Sequence, residues 1–203
     1  MRNEILDILE KDLNIKPYEV SNIYMYGSRC YGTQTETSDY DFIIVADSDI
    51  EIGKEFNIGD YNFHVHNIDS FQELLDKNDP KSIECLIWSK TDPIMERENL
   101  DLDISKPKFR HSVSQISSNS WVKARKKIDQ NDISIGQKSL FHSIRIPMYA
   151  IQIMKTGDIT NWECANIYWD EIKKINDWKV LKDKYQPIRS KIMSEFRELC
   201  PKN

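Results

Sequence analysis

The sequence predicts an α+β fold, in which a sheet flanked by helices is followed by a part made only of helices. Strand patterns occur at about 22–26, 40–46 and 60–67, all within the first third of the chain. After about residue 108, apolar residues recur every three or four positions, and no strand pattern competes with them. A chain of 203 residues can hold one domain of ordinary size or two small ones.

Helices of the first half have recognisable start signals. The first helix is predicted by four apolar residues at helical spacing, and Pro17 ends the pattern. These residues are Ile5, Ile8, Leu9 and Leu13. The next begins at Asp69 or Ser70 as N-cap, and Pro80 in a first turn predicts the one after it. These three helices are predicted at 4–14, 69–78 and 80–88.

The second half is predicted to be helical throughout, after a connecting segment. Residues 90–108 contain prolines and charges in no regular pattern, as is typical of a connection. We therefore expect one domain at 1–105 and a second at 106–203. Helical spacing occurs in four segments of the second domain, at 109–130, 136–156, 161–176 and 186–199.

Charge is divided unevenly along the chain, whose net charge is −5. Up to residue 103 there are 9 Lys and Arg against 23 Asp and Glu, a net −14, whereas from residue 106 there are 19 against 10, a net +9. An acidic half that gathers divalent cations and a basic half that meets a phosphate-bearing partner would show this division. Simple attraction between the two halves is the alternative.

The composition indicates a cytoplasmic protein with no membrane segment. The longest apolar runs are far shorter than the ~20 residues that span a bilayer, and the N-terminus lacks an apolar signal core. The four cysteines are scattered without a Cys-x-x-Cys pair, so neither a zinc site nor a disulfide framework is expected.

The most informative stretch lies in residues 25–45, where a small-residue turn precedes two carboxylates. Gly27 and Ser28 follow an apolar run, and a bare glycine lets backbone N–H groups approach an anion. Asp39 and Asp41 are two positions apart, so on a strand they share a face. Neighbouring carboxylates suit Mg²⁺, which bridges protein and substrate phosphates. An ordinary glycine turn between two strands is the alternative.

The order Gly-Ser, about ten further residues and Asp-x-Asp resembles the signature of the polymerase-beta-like nucleotidyltransferase superfamily. This resemblance covers about residues 23–46. It implies a small mixed-sheet nucleotidyltransferase domain followed by an all-helical, substrate-binding domain. The implied reaction transfers a nucleoside monophosphate from an NTP to a hydroxyl or similar acceptor, and pyrophosphate leaves.

The resemblance also implies roles for single residues. Asp39 and Asp41 are the catalytic carboxylates, and they hold one or two Mg²⁺, with Mn²⁺ as an alternative cation. Gly27 and Ser28 hold the terminal phosphates through backbone and hydroxyl donors. The implied nucleotide-binding residues of this part of the chain are Gly27, Ser28, Arg29 and Ser38.

A third carboxylate would come from the strand beside Asp-x-Asp, and here the sequence departs from the family pattern. The matching position is Asn62, whose neutral oxygen can coordinate a metal but cannot serve as a general base. Asp60 and Asn62 are therefore further candidate metal ligands, and Asp60 or His64 is the candidate base. His66, further along the strand, fits a solvated strand face better than a metal site.

The helical half carries a stripe of hydrogen-bond donors. Lys138, His142, Arg145 and Tyr149 are spaced by four, three and four residues, so they share one helix face. Such donors can bind the phosphates of the NTP or of the acceptor, and binding would tighten as His142 gains a proton. A solvated or interdomain face is the alternative.

The sequence leaves three functions open. The first is an enzyme that modifies RNA or another phosphate-rich acceptor, as the basic half favours. The second is a transferase acting on a small molecule or a protein, as antibiotic-modifying and toxin-neutralising relatives do. The third is a catalytically weak nucleotide- or partner-binding protein, because Asn62 stands where an acid is expected.

Overall fold

The computed structural model describes residues 1–48 and 50–202. The chain divides into two compact units, Met1–Asp103 and Ile104–Asn203. The α+β fold class is confirmed: the first unit contains a mixed sheet, and the second contains helices. Within the described residues, we find no helix that combines the length and the apolar character needed to span a membrane.

The first unit combines helices with short strands. Its elements in chain order are α1 (Arg2–Leu13), β1 (Val20–Tyr26), α2 (Ser28–Tyr31), β2 (Tyr40–Ala46), β3 (Glu55–Ile58), β4 (Tyr61–His66), α3 (Ile68–Asp76), α4 (Pro80–Ser89) and β5 (Met95–Glu96).

The sheet has the strand order β3-β4-β2-β1-β5. β2 and β4 run parallel, and the other neighbouring pairs run antiparallel, so the sheet is mixed. In this register Asp41 of β2 pairs with Asn62 of β4 on one side and with Tyr26 of β1 on the other. Register partners present their side chains on the same face, so these three side chains are neighbours.

The opposite face of the sheet is aromatic. Tyr40 stacks on Tyr61 with 5.6 Å between ring centroids, and Phe42 stacks on Phe63 at 5.9 Å. Helix α1 is hydrogen-bonded to this face, because the Tyr61 hydroxyl donates to Glu4 Oε1 at 2.6 Å. Burial of these rings fixes the register of β2 and β4, since a slip of one residue would expose them.

Helix α3 packs on the Asp41 face, but further along the strands. Its Phe71 stacks on Tyr24 of β1 at 5.4 Å and is fully buried. The helix begins at a capping box, in which the Asn67 side chain accepts from the Ser70 N–H at 2.8 Å. The apolar part of this face is therefore covered, and Asp41 lies nearer the end of the sheet.

Two strands, β3 and β5, were not predicted from the sequence. β3 is four residues long and lies at an edge, and β5 has only two residues. β5 lies inside the segment that we expected to be a connection, 90–108. Buried Asn22 of β1 holds the residues after β5, because its Oδ1 accepts from the N–H groups of Arg97 and Glu98 at 2.9 and 3.0 Å. Side-chain to backbone bonds of this kind leave no periodic signal.

The second unit consists of α5 (Lys106–Asp129), α6 (Ile133–Thr156), α7 (Asn166–Ile172) and α8 (Trp178–Leu199). The bounds differ from those predicted most at α7, which is shorter at both ends, and at α8, which starts at residue 178 rather than 186; α5 and α6 each start three residues earlier than predicted. The Asp177 side chain caps α8 by accepting from the Val180 N–H at 2.8 Å, and Pro187 lies inside the helix.

Helices α5 and α6 pack closely where Gly136 of α6 meets α5. A Cβ at Gly136 would lie 2.4 Å from Ile128 Cγ1, so a larger residue would push the two helices apart. The core around this contact is made of buried side chains from all four helices, namely Ala124, Ile128, Leu140, Phe141, Ile144, Ala165, Ile172, Leu181 and Tyr185.

A buried polar network joins α5, α6 and α8. Pro147 has no N–H, so the carbonyl of Ser143 one turn earlier loses its helical donor. The Ser117 hydroxyl of α5 donates to that carbonyl at 2.7 Å. Arg189 of α8 in turn donates to the Ser117 oxygen from Nε and Nη2, at 3.2 and 3.0 Å. The proline therefore remains inside the helix without an unsatisfied carbonyl.

Candidate functional site

The candidate site lies at one end of the sheet, on the face opposite the aromatic stack. Tyr26 is the last residue of β1, Asp41 is the second of β2, and Asn62 is the second of β4. Their register pairing places a carboxylate between a phenol and an amide. The strands thus bring together the second carboxylate of Asp-x-Asp and Asn62, the residue predicted at the third ligand position.

Gly27 directly follows β1 and lies against Asp41. Its φ is 88° and its ψ is −162°, a conformation that is essentially open only to glycine. A Cβ at this position would lie 2.0 Å from Asp41 Oδ2. The sequence suggested that the bare glycine admits a phosphate. The structure adds that the Asp41 carboxylate occupies the space that a side chain at residue 27 would need.

Arg29 positions the chain segment that carries Asp39. Its Nη2 donates to the carbonyl of Ser38 at 2.6 Å, and its Nε donates to the carbonyl of Asp39 at 3.3 Å. The guanidinium carbon lies 3.6 Å from the ring centroid of Tyr40. Arg29, predicted as a nucleotide-binding residue, therefore makes structural contacts that hold the exposed Asp39 just before β2.

Ser38, also predicted to bind nucleotide, closes a turn in the same segment. Its hydroxyl oxygen accepts from the Thr35 N–H at 2.8 Å and lies 3.1 Å from Thr35 Oγ1. Ser28, by contrast, is the first residue of the short helix α2 and lies next to Gly27. Of these two serines, Ser28 is the one that directly follows Gly27.

Asn62 is held in one orientation. Its Nδ2 donates to Glu55 Oε1 at 2.5 Å and to Asn57 Oδ1 at 3.0 Å. A flipped amide would point its oxygen at these two acceptors, so the contacts determine which way the amide faces. Its Oδ1 is buried and accepts no hydrogen bond from any residue in 1–48 or 50–202. A buried amide oxygen with unused acceptor capacity is chemically suited to a cation.

The donor set fits a magnesium ion that shares its ligands with a substrate. Mg²⁺ is commonly held by one or two protein carboxylates together with substrate phosphates, and Asp39, Asp41 and Asn62 offer two carboxylates and an amide oxygen. Asp60, predicted as a further ligand, is exposed in the turn before β4. In the described part of the chain, no three His, Cys, Asp or Glu side chains form a group that could hold a metal.

The two histidines of β4 differ in their surroundings. The His64 ring lies 5.8 Å from that of Tyr26, and its Nε2 lies 3.7 Å from Glu55 Oε1. Burial lowers the pKa of His64, and the charge of Lys81 adds to this effect. The His66 ring packs at 5.9 Å from Phe71, and burial lowers the pKa of His66 to about 4. His64 therefore belongs to the site, whereas His66 belongs to the packing under α3.

Glu55 and Tyr26 are site residues that the sequence prediction missed. Tyr26 was read only as part of an apolar strand. The pKa of its hydroxyl is raised by burial and then by the charge of Asp41, its register partner. Glu55 lies in β3, and a signal for that strand exists: Phe56 and Ile58 alternate just before Gly59-Asp60, a residue pair typical of a hairpin turn.

In the helical unit, the predicted donor stripe lies on α6. Lys138 is exposed, His142 is half-buried, and Arg145 and Tyr149 are only 4% and 1% exposed. Arg145 Nε lies 3.4 Å from His142 Nδ1, and its guanidinium carbon lies 4.7 Å from the Tyr149 ring centroid. A fully solvated face, one of the two alternatives, is thus wrong for Arg145 and Tyr149.

His142 does not gain a proton near neutral pH. Burial lowers its pKa to about 3, with smaller effects from the positive charges of Arg145, Lys123 and Lys138. The expectation that ligand binding tightens as His142 gains a proton stays a prediction, and the lowered pKa moves that proton uptake to acidic pH in the unliganded protein. The imidazole is instead a neutral group beside a buried guanidinium.

This burial should make stability depend on pH. The unfolded chain binds a proton at His142 below about pH 6.5, whereas the folded protein does so only near pH 3, so acid favours unfolding. We expect His142→Gln to remove about 1 kcal/mol of the stability that is lost between pH 7.5 and 5.5. Urea unfolding at both pH values measures the difference. The control is His111→Gln, at an exposed position; an equal pH response in both variants would contradict the prediction.

The model of the nucleotidyltransferase domain family matches residues 2–99, a range that contains the whole sheet and the Gly-Ser and Asp-x-Asp residues. No curated protein matches the chain. Residues 2–99 are therefore a nucleotidyltransferase domain of the polymerase-beta-like type, as the order of Gly27, Ser28, Asp39 and Asp41 predicted.

Proposed function

We propose that this protein transfers a nucleoside monophosphate from an NTP to an acceptor hydroxyl by in-line displacement assisted by Mg²⁺. One observation supports this most: the Asp41 carboxylate lies against the backbone of Gly27 and pairs in register with Asn62. A metal-binding carboxylate is thereby held beside a turn whose backbone a phosphate can approach.

In this proposal, each residue of the site has a separate task. Gly27 and Ser28 bind the phosphates of the NTP through backbone and hydroxyl donors. Asp39, Asp41 and the Oδ1 of Asn62 would hold Mg²⁺, or Mn²⁺ in its place. When bound, the cation stabilises the charge on the attacking and leaving oxygens. Arg29 acts indirectly, because it fixes the backbone of the segment that carries Asp39.

His64 is the candidate acceptor of the proton that the attacking hydroxyl loses. It lies on the same face as Asp41, and its Nε2 is 3.7 Å from Glu55 Oε1, a contact that can orient the ring. Asp60, the other candidate base, lies in an exposed turn. His64 is therefore the better placed of the two.

The basic second half supports an acceptor that carries phosphate, such as RNA. From residue 106 the chain carries 19 Lys and Arg against 10 Asp and Glu. In the proposal, Lys138, His142 and Arg145 of α6 contact phosphate, with Lys138 the exposed charge among them. Steep loss of acceptor binding with added salt would support a nucleic acid, whereas weak salt dependence would favour a small molecule or a protein.

A catalytically weak nucleotide-binding protein is the second candidate. The observation in its favour is Asn62, because a neutral amide pairs with Asp41 where a third carboxylate would strengthen metal binding. Both candidates bind nucleotide, but only the first transfers a nucleoside monophosphate at an appreciable rate.

An experiment with labelled nucleotides tests the proposal. The protein is incubated with Mg²⁺, cell extract and each NTP, labelled either on the α- or on the γ-phosphate. We expect an acceptor to take up the α-label and pyrophosphate to carry away the γ-label. Asp41→Asn should abolish the labelling. Transfer of the γ-label would mean a phosphotransferase, and Mg²⁺-dependent nucleotide binding without any transfer would favour the second candidate.

Asn62→Asp should make the protein bind Mg²⁺ more tightly and become less stable without it. The new carboxylate would stand beside Glu55 Oε1, which now accepts from Asn62 at 2.5 Å, so the two charges repel each other until a cation joins them. We expect turnover to be kept or raised, and the Mg²⁺ needed for half-maximal rate to fall several-fold. The control is Asn119→Asp, which adds the same negative charge at an exposed position of α5. Equal behaviour of the two variants would remove Asn62 from the metal site.

A further inference from the structure

Lys81 lies on the catalytic face of the sheet, although nothing in the sequence motif includes it. It is the second residue of α4, which is capped by Asp79 and begins at Pro80. Its Nζ lies 4.3 Å from the ring centroid of Tyr26. Because Tyr26 is the register partner of Asp41, the ammonium group is held close to the candidate site.

The position of this ammonium group follows from the strand register and the ring contacts. Tyr26, whose ring the ammonium group contacts, is the register partner of Asp41. The ring of His64 lies 5.8 Å from that of Tyr26. The charge of Lys81 also contributes to the lowered pKa of His64 and of His66.

No acidic partner neutralises this ammonium group. Within residues 1–48 and 50–202, Lys81 makes neither a hydrogen bond nor an ion pair, and its contact is with the face of the Tyr26 ring. The adjacent carboxylate of Asp79 is used as a helix cap, accepting from the N–H and hydroxyl of Ser82 at 3.0 and 3.1 Å. A contact with an aromatic ring leaves the three N–H donors of a lysine without acceptors.

We propose that Lys81 binds non-bridging oxygens of the NTP triphosphate and so acts as a nucleotide-binding residue supplied by α4. This inference rests on the proposed function. A half-buried ammonium group with free donors, placed beside metal-binding carboxylates, matches the chemistry of a triphosphate, which brings several negative charges into the site. The Tyr26 ring holds the cation in place before the nucleotide arrives.

The test compares three variants in nucleotide binding. Lys81→Met removes the charge and keeps the length of the side chain, whereas Lys81→Arg keeps the charge. The control is Lys90→Met, at the exposed C-terminal end of the same helix, which changes the net charge equally. Calorimetry with Mg²⁺ and an α,β-imido NTP, with the corresponding NMP in parallel, gives the dissociation constants without turnover.

We expect Lys81→Met to weaken binding of the triphosphate analogue about 10-fold or more, and binding of the NMP much less. Lys81→Arg should remain within a few-fold of the wild type, and Lys90→Met should be unchanged. Unchanged affinity in Lys81→Met overturns the inference and leaves the proposed function intact. Equal weakening in Lys81→Met and Lys90→Met also overturns it, because the effect would then be one of net charge.

A measurement on the wild-type protein covers the case in which Lys81→Met does not fold. Reductive methylation should be slowed at Lys81 by the Mg²⁺ complex of the triphosphate analogue and not by NMP, while Lys90 reacts equally under all conditions. Equal reaction of Lys81 with and without the analogue overturns the inference. Failure of the wild type to bind any NTP analogue overturns the inference and the proposed function together.

Discussion

Asp41→Asn is expected to lower the rate of nucleotidyl transfer on the order of 10³-fold while the protein stays folded. The amide has the shape of the carboxylate, so it can still lie against the backbone of Gly27. It loses the negative charge, however, and with it several kcal/mol of interaction with a divalent cation at the transition state. Transfer of the α-label under saturating Mg²⁺ and NTP measures the loss.

The matched control for this substitution is Asp12→Asn, which removes one carboxylate from the exposed surface of α1. It should transfer label at the wild-type rate. Asp39→Asn should lower the rate in the same way, because Asp39 is the other proposed metal-binding carboxylate. Arg29 fixes the backbone of its segment just before β2. If folded Asp41→Asn, shown by circular dichroism to be native, retained near-normal turnover, the assignment of the metal site would be wrong.

Gly27→Ala is expected to reduce transfer on the order of 10²-fold or more and to destabilise the first unit by about 1 to 3 kcal/mol. Two independent causes act at this position. The backbone has φ 88°, which an L side chain rarely adopts, and the new Cβ would lie 2.0 Å from Asp41 Oδ2. The carboxylate must move to admit the methyl group, so the metal site is disturbed even where the fold survives.

Gly53→Ala separates these two causes. Gly53 also has a positive φ, of 77°, but nothing lies within 4 Å of its would-be Cβ. We expect Gly53→Ala to lose some stability and to keep its transfer rate and Mg²⁺ dependence. Urea unfolding and single-turnover rates on both variants make the comparison. Equal loss of rate in the two would mean that backbone strain alone matters, and that Asp41 does not depend on the space at Gly27.

Local patterns gave good predictions where one element carried the whole signal. β2 was predicted with its observed bounds, whereas Asp39, expected on the same strand face as Asp41, lies just before the strand. α7 and α8 were placed less well, because Asp177 caps a helix that also contains Pro187, and a proline normally marks an end.

The two edge strands, β3 and β5, were not predicted from local patterns. β3 and β5 have four and two residues, and each is stabilised mainly by its neighbour in the sheet. Glu55 was missed with β3, although it is one of the two residues of that strand that orient Asn62. β5 is too short to carry any alternation, and in β3 the only signal is the alternation of Phe56 and Ile58 before the Gly59-Asp60 turn.

From the order of its residues alone, this chain is recognisable as an acidic, sheet-containing nucleotidyltransferase domain followed by basic helices. Motif, periodicity and charge are properties of residues close together in sequence, so they can be recognised without a three-dimensional structure. Tertiary packing alone decided that the Asp41 carboxylate occupies the space above Gly27 and that Asn62 turns its oxygen away from Glu55. It also placed Lys81 over Tyr26 and lowered the pKa of His142 to about 3. These features depend on contacts between residues far apart in sequence and on removal of polar groups from water, neither of which leaves a periodic trace.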